Sequence, residues 1–226
     1  APANGDLLIN KIADWADALA AQGAEADISC GLHVHIDARD FTHYDLRRLI
    51  LLYEKLEPGL FAMVPERRRN SQYCEPCGPE YANAIRHSRY PKLNKKALIA
   101  GVYWHGDAQH GWNLKAFDHM PATDETYRDQ VREAKSSKYL AQRYHALNLH
   151  SWFFRGTVEC RLFNGTVSGR NLKNWALLWV AILDYAYATT EDKIAHLRGP
   201  SVDILKQIAP TAEIAAWIDF RVARFN

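Results

Sequence analysis

Two short alternating stretches constrain this chain more than any other feature. In Gly31 to Asp37, Leu32, Val34 and Ile36 fall on one side of an extended chain, while Gly31, His33, His35 and Asp37 fall on the other. In Thr157 to Phe163, Val158, Cys160 and Leu162 form one face, and Thr157, Glu159, Arg161 and Phe163 the other. A half-buried strand needs this pattern. Each stretch therefore offers a core face and a chemically capable face, although the two lie far apart in sequence.

The intervening chain supplies helices to cover the apolar sides. Residues 7 to 22 carry Leu8, Ile12, Trp15 and Leu19 at helical spacing, with Asp6 as N-cap and Gly23 as stop. Thr42 caps a second helix, with Leu46, Leu49, Ile50, Tyr53 and Leu56 on one side and Pro58-Gly59 as its end. Residues 61 to 123 show no clear period. Residues 124 to 138 read as a polar helix. Residues 143 to 150 and 156 to 164 read as an antiparallel hairpin, linked through Ser151 to Arg155. Asn171 to Thr189 is the most apolar helix, and two short helices follow at 201 to 208 and 211 to 222. This order predicts an α+β fold in one domain, residues 1–226: a mainly antiparallel sheet with helices on one face. The other face is left open, and it is the one bearing His33, His35, Glu159 and Arg161.

Composition narrows the partners. The net charge is only +2, so no strong basic field argues for nucleic acid. No run of about 18 apolar residues is present to span a membrane. The four cysteines, Cys30, Cys74, Cys77 and Cys160, are too few for a disulfide scaffold, which points to a reducing, cytoplasmic setting. Cys74-Glu75-Pro76-Cys77 matches half a zinc site, but no second Cys-x-x-Cys completes it.

Imidazole and carboxylate are ligands for divalent metals, and guanidinium forks match phosphate or carboxylate. A face with His, Glu and Arg suits phosphoryl transfer, where a cation and fixed positive charge neutralise developing oxyanions. Arg67, Arg68, Arg69 and Arg143 are further phosphate candidates. The bland alternatives are a solvated sheet face, a cross-strand ion pair and a solvated arginine run.

The motifs Cys-Gly-Leu-His-Val-His (30 to 35), Arg-Arg-Asn-Ser-Gln-Tyr-Cys (68 to 74), Arg-Tyr-His-Ala-Leu-Asn-Leu (143 to 149) and Thr-Val-Glu-Cys-Arg-Leu-Phe-Asn-Gly-Thr (157 to 166) occur in this order. Together they resemble the amidoligase family, relatives of glutamine synthetase and glutamate–cysteine ligase. The resemblance covers roughly residues 1 to 190. It implies a curved, glutamine synthetase-like sheet whose concave face holds ATP and Mg²⁺ or Mn²⁺. It implies a reaction too: ATP phosphorylates a carboxylate, and an amine attacks the acyl phosphate to give an amide. His33 and Glu159 are the implied metal ligands. His35, Arg143 and Arg69 are the implied nucleotide contacts. Arg161, with Glu159, is the implied catalytic pair.

Family members carry a Glu-x-Glu strand upstream of the Gly-x-His-x-His strand, and none precedes Gly31 here. The resemblance thus implies a domain shortened at its N-terminus, completed by a missing segment or a partner chain. The alternative is a catalytically incomplete relative that binds a nucleotide, small molecule or peptide. The expected partners are a small-molecule, peptide or protein carboxylate and an amine.

Overall fold

The two alternating stretches form strands, and the strands meet. The computed structural model describes residues 5–79, 82 and 144–226. Its elements are α1 (Gly5–Ala21), β1 (Val34–Asp37), α2 (His43–Ala62), α3 (Glu66–Arg69), β2 (Leu147–Asn148), α4 (His150–Arg155), β3 (Thr157–Cys160), α5 (Gly169–Ala188), α6 (Glu191–His196), α7 (Ser201–Ile208) and α8 (Ala212–Phe225). The predicted helix at 124 to 138, most of the aperiodic 61 to 123 region and Arg143 lie outside the described residues.

The sheet is small and antiparallel, in the order β1-β3-β2, with β3 in the centre. Its ladder sets Val34 opposite Cys160, His35 opposite Glu159, Ile36 opposite Val158 and Asp37 opposite Thr157. On the other side, Leu147 faces Cys160 and Asn148 faces Glu159. The rest of the described chain is mostly helical, so the molecule is α+β with a modest sheet.

The core is built from helix faces. Leu46, Leu49, Tyr53, Leu56 and Leu60 of α2 meet Trp175, Leu178, Trp179 and Ile182 of α5, all essentially buried. Val158 and Cys160, from the apolar side of β3, join the same cluster. Trp152, Trp175, Trp179 and Trp217 have no exposed surface. A buried tryptophan removes about 150–250 Å² from water, worth roughly 4–6 kcal/mol at about 25 cal/mol per Å². Among the described residues no helix is long and apolar enough to cross a membrane.

Four elements depart from the sequence pattern. First, α2 runs through Pro58 to Ala62 instead of stopping there. Gly59 is not a terminator but a contact point: a Cβ on it would lie 2.7 Å from Leu205 and 2.9 Å from the Ser201 backbone. The helix continues because α7 packs directly on its bare backbone. Second, the Ser151 to Arg155 link is helix α4, closed by Gly156 at φ 72°.

Third, α1 buries its small residues, Ala13 and Ala16, while Leu8, Ile12, Trp15 and Leu19 stay 39–67% exposed. Gly169 explains this choice. A Cβ there would sit 2.4 Å from the Ala13 carbonyl oxygen, so α1 and α5 approach almost backbone to backbone. Asp17 then accepts the Gly169 N–H at 2.7 Å.

Fourth, Phe163 leaves the polar face it was assigned by alternation. Gly31 pairs with Asn164 in an isolated bridge beyond the Val34–Cys160 pair. The β1 side has one residue fewer between those two pairs than the β3 side, which is a bulge. The bulge reverses the alternation and turns Phe163 into the core, 4.6 Å from the Trp175 ring. Buried Arg68 occupies the bulge, its guanidinium donating to the carbonyls of Arg161 and Leu162. Gly31 leaves room for it, since a Cβ there would approach Arg68 Nη2 to 3.1 Å.

Candidate functional site

The register places His35, Glu159 and Asn148 in one row across the sheet. Alternation puts all three on the face away from Val158 and Cys160. Glu159 is the hub of this row. Its Oε2 accepts from Asn148 Nδ2 at 2.6 Å. Its Oε1 accepts from Arg161 Nη1 at 2.6 Å and lies 3.0 Å from His33 Nδ1. His35 Nε2 stands 3.6 Å from the same oxygen, close enough to feel its charge but beyond hydrogen-bond range.

This face is less open than the sequence suggested. Asn148, Glu159 and Arg161 are buried, whereas the side chains of His33 and His35 keep 37% and 34% of their surface. Solvent thus reaches the imidazoles and not the carboxylate. Burial on its own would raise the Glu159 pKa. The His33 hydrogen bond, the Arg161 and His35 charges and the Asn148 hydrogen bond outweigh it and bring the carboxyl down to about 2. Glu159 is therefore ionised throughout the physiological range. Burial holds His35 below the ordinary imidazole value, although the charge of Glu159 pulls the other way.

Arg161 is held on three sides. Its Nε donates to the Tyr73 carbonyl at 3.2 Å, its Nη1 to Glu159, and its guanidinium lies 5.5 Å from the centre of the Tyr144 ring. Tyr73 and Tyr144 themselves meet edge to face at 5.6 Å. Nη2 has no partner among the described residues. The fork is thereby aimed, with one nitrogen left to give.

The structure brings His33, His35, Glu159 and Arg161 together, as alternation in two separate stretches predicted. It does not bring Arg69 to them. That guanidinium donates to the Val64 carbonyl at 3.0 Å and to the Phe225 carbonyl, tying α8 to the end of α2. Arg68 is committed to the bulge. Arg143 lies outside the described residues. Cys74 and Cys77 are buried, and their thiols donate to the carbonyls of Arg68 and Leu147.

Three further residues complete the site. Asn148 falls in the Arg-Tyr-His-Ala-Leu-Asn-Leu motif, where the family resemblance implies a residue that positions a neighbour, and it is the only described side chain that meets Glu159 Oε2. Ser151 and Thr157 flank His35 on its other nitrogen, at 3.3 and 3.1 Å from Nδ1. Thr157 lay on the polar face of the alternating pattern, so it had a signal. Ser151 had none, because its segment read as a loop.

Could this face hold a cation? Among the described residues no group of three or more His, Cys, Asp or Glu is placed to hold a metal ion. What is present is half of a recurrent arrangement. His33 directs one ring nitrogen to a carboxylate, and its Nε2 has no partner among the described residues. Metal-binding imidazoles are oriented in this manner. Glu159 Oε1 already takes Arg161 and His33, whereas Oε2 takes only Asn148 among the described residues, so Oε2 is the oxygen with a lone pair left for a cation.

Fold and site together define an α+β protein with a buried carboxylate–guanidinium centre flanked by two accessible imidazoles. A family model described as "putative amidoligase enzyme" matches residues 2–183, and the chain belongs to that family. No curated protein and no solved structure matches it significantly.

Proposed function

We propose that this protein is an ATP-dependent carboxylate–amine ligase of the glutamine synthetase-like superfamily. In the proposed reaction a substrate carboxylate oxygen takes the γ-phosphoryl group of ATP, releasing ADP. An amine then attacks the acyl carbon, phosphate leaves, and the amine proton passes to base. Mg²⁺ or Mn²⁺, when bound, would neutralise the phosphate oxygens during transfer. His33 would hold the ion through Nε2, which favours Mn²⁺, since Mg²⁺ prefers oxygen donors.

The observation that carries this reading is the Glu159 hub in a member of the amidoligase family. A buried, ionised carboxylate fixes one guanidinium and one imidazole in place before any substrate arrives. Preorganised charge of this kind stabilises a transferring phosphoryl group without reorganisation at the moment of reaction. Arg161 can reach a phosphoryl or carboxylate oxygen through Nη2 while Nη1 stays on Glu159. Burial of the pair keeps the local dielectric low and makes that contact stronger than in water. Tyr73, about half exposed beside Arg161, borders the substrate side.

The test is ADP release from ATP with Mn²⁺ or Mg²⁺, scored with and without a panel of amines and carboxylates. Release that requires both an amine and a carboxylate supports the ligase. Nucleotide binding with no turnover for any pair would instead indicate a binding protein.

A further inference from the structure

The side of His35 away from Glu159 carries a feature that the ligase reading does not use. Ser151 Oγ and Thr157 Oγ1 are 2.8 Å apart. Both stand within hydrogen-bond distance of His35 Nδ1, at 3.3 and 3.1 Å. They come from different elements, Ser151 from α4 and Thr157 from the first position of β3. Ser151 is buried and Thr157 half-buried, so water competes little for either hydroxyl.

We infer that Ser151 and Thr157 are positioning residues whose paired hydroxyls hold the neutral His35 ring with its lone pair on Nδ1 and its proton on Nε2. The alternative tautomer would direct a lone pair from Nε2 toward an ionised carboxylate oxygen 3.6 Å away. That arrangement is repulsive, while N–H toward the same oxygen is attractive. An accepting Nδ1 then needs a donor. Ser151 donates to Thr157 Oγ1 and Thr157 donates to Nδ1, so each hydroxyl proton has an acceptor and Nδ1 has its donor. The two histidines thus differ in role. His33 keeps a nitrogen that is free among the described residues, suited to a cation, and His35 presents an N–H, suited to an anionic oxygen such as that of a phosphate. This role for His35 rests on the ligase reading, but the tautomer assignment does not.

The experiment is long-range ¹H–¹⁵N NMR of the full chain labelled at histidine, with His35 assigned by its loss in His35→Asn. The expected signature is a pyridine-type Nδ1 and a pyrrole-type Nε2 in the wild type. The Ser151→Ala/Thr157→Val double variant should mix or reverse the two shifts, and Thr157→Ser should retain the wild-type pattern. In turnover, the double variant should lose about 10-fold to 100-fold in kcat, with little change in KM for ATP. A pyrrole-type Nδ1 in the wild type overturns the inference without any variant needing to fold. An unchanged signature in a folded double variant overturns it as well. The assigned tautomer in a protein that never turns over ATP supports this inference and removes the ligase reading alone.

Discussion

Replacing Glu159 by Gln keeps the shape of the side chain and removes the charge that organises the site. The magnitude follows from its depressed pKa. In the folded chain the carboxyl titrates at about 2, against 4.5 without the fold. At about 1.36 kcal/mol per pKa unit, that difference is worth about 3 kcal/mol. The sign is set by proton counting. Between pH 4.5 and 2 the unfolded chain binds a proton that the folded chain refuses, so stability falls as the medium becomes more acid. The contribution is complete above about pH 5, and by pH 3 about 2 kcal/mol of it is gone.

Equilibrium urea unfolding of wild type and Glu159→Gln, at pH 7 and again at pH 3, measures this. At pH 7 the variant should be less stable by about 3 kcal/mol, since the amide oxygen can still accept from Arg161 but carries no charge to balance the buried guanidinium. At pH 3 the gap should shrink to about 1 kcal/mol. A gap of the same size at both values would refute the claim that Glu159 is a charged hub, and would leave it a packing residue.

Other consequences follow from single contacts. Arg161→Lys should lower turnover about 100-fold, as loss of one preorganised donor does, because an ammonium cannot hold Glu159 and offer a second fixed N–H. Its melting temperature should move by only a few degrees, and a large thermal shift with normal turnover would make the pair purely structural. Gly59→Ala places a methyl 2.7 Å from Leu205 and against the start of α7. Overpacking costs about 1–3 kcal/mol and alanine returns up to about 1 kcal/mol of helix propensity, so the urea midpoint should fall; an unchanged midpoint would mean the helices separate freely. Gly31→Ala crowds the Arg68 guanidinium, which is pinned between two carbonyls, and should destabilise by about 1–3 kcal/mol. Full stability in that variant would show that Arg68 is not the filler of the bulge.

Alternation alone located the strands and the face that carries His33, His35, Glu159 and Arg161, because a period of two survives in sequence whenever one side is buried. The same reasoning failed at Phe163. A bulge adds one residue and reverses the period, and nothing in Arg161-Leu162-Phe163 announces it. The filler of that bulge, Arg68, sits in an arginine run that reads as solvated, since its carbonyl partners come from a distant strand. Pro58-Gly59 is an ordinary stop signal until α7 arrives to pack on it. Long-range contacts decided each of these, and local pattern cannot carry them. For the same reason the helix α1 was legible while its buried side was not: the choice of Ala13 and Ala16 depends on Gly169.

In the proposed function the Glu159 face is a floor for nucleotide and metal. A crystal structure of this chain with Mn²⁺ and a non-hydrolysable ATP analogue tests it most directly, through anomalous scattering at the manganese edge. An anomalous peak within bonding distance of His33 Nε2 and a phosphate oxygen beside Arg161 Nη2 are the expected result. Well-ordered nucleotide bound elsewhere, with the His33–Glu159–Arg161 cluster unchanged and no manganese beside it, would contradict it.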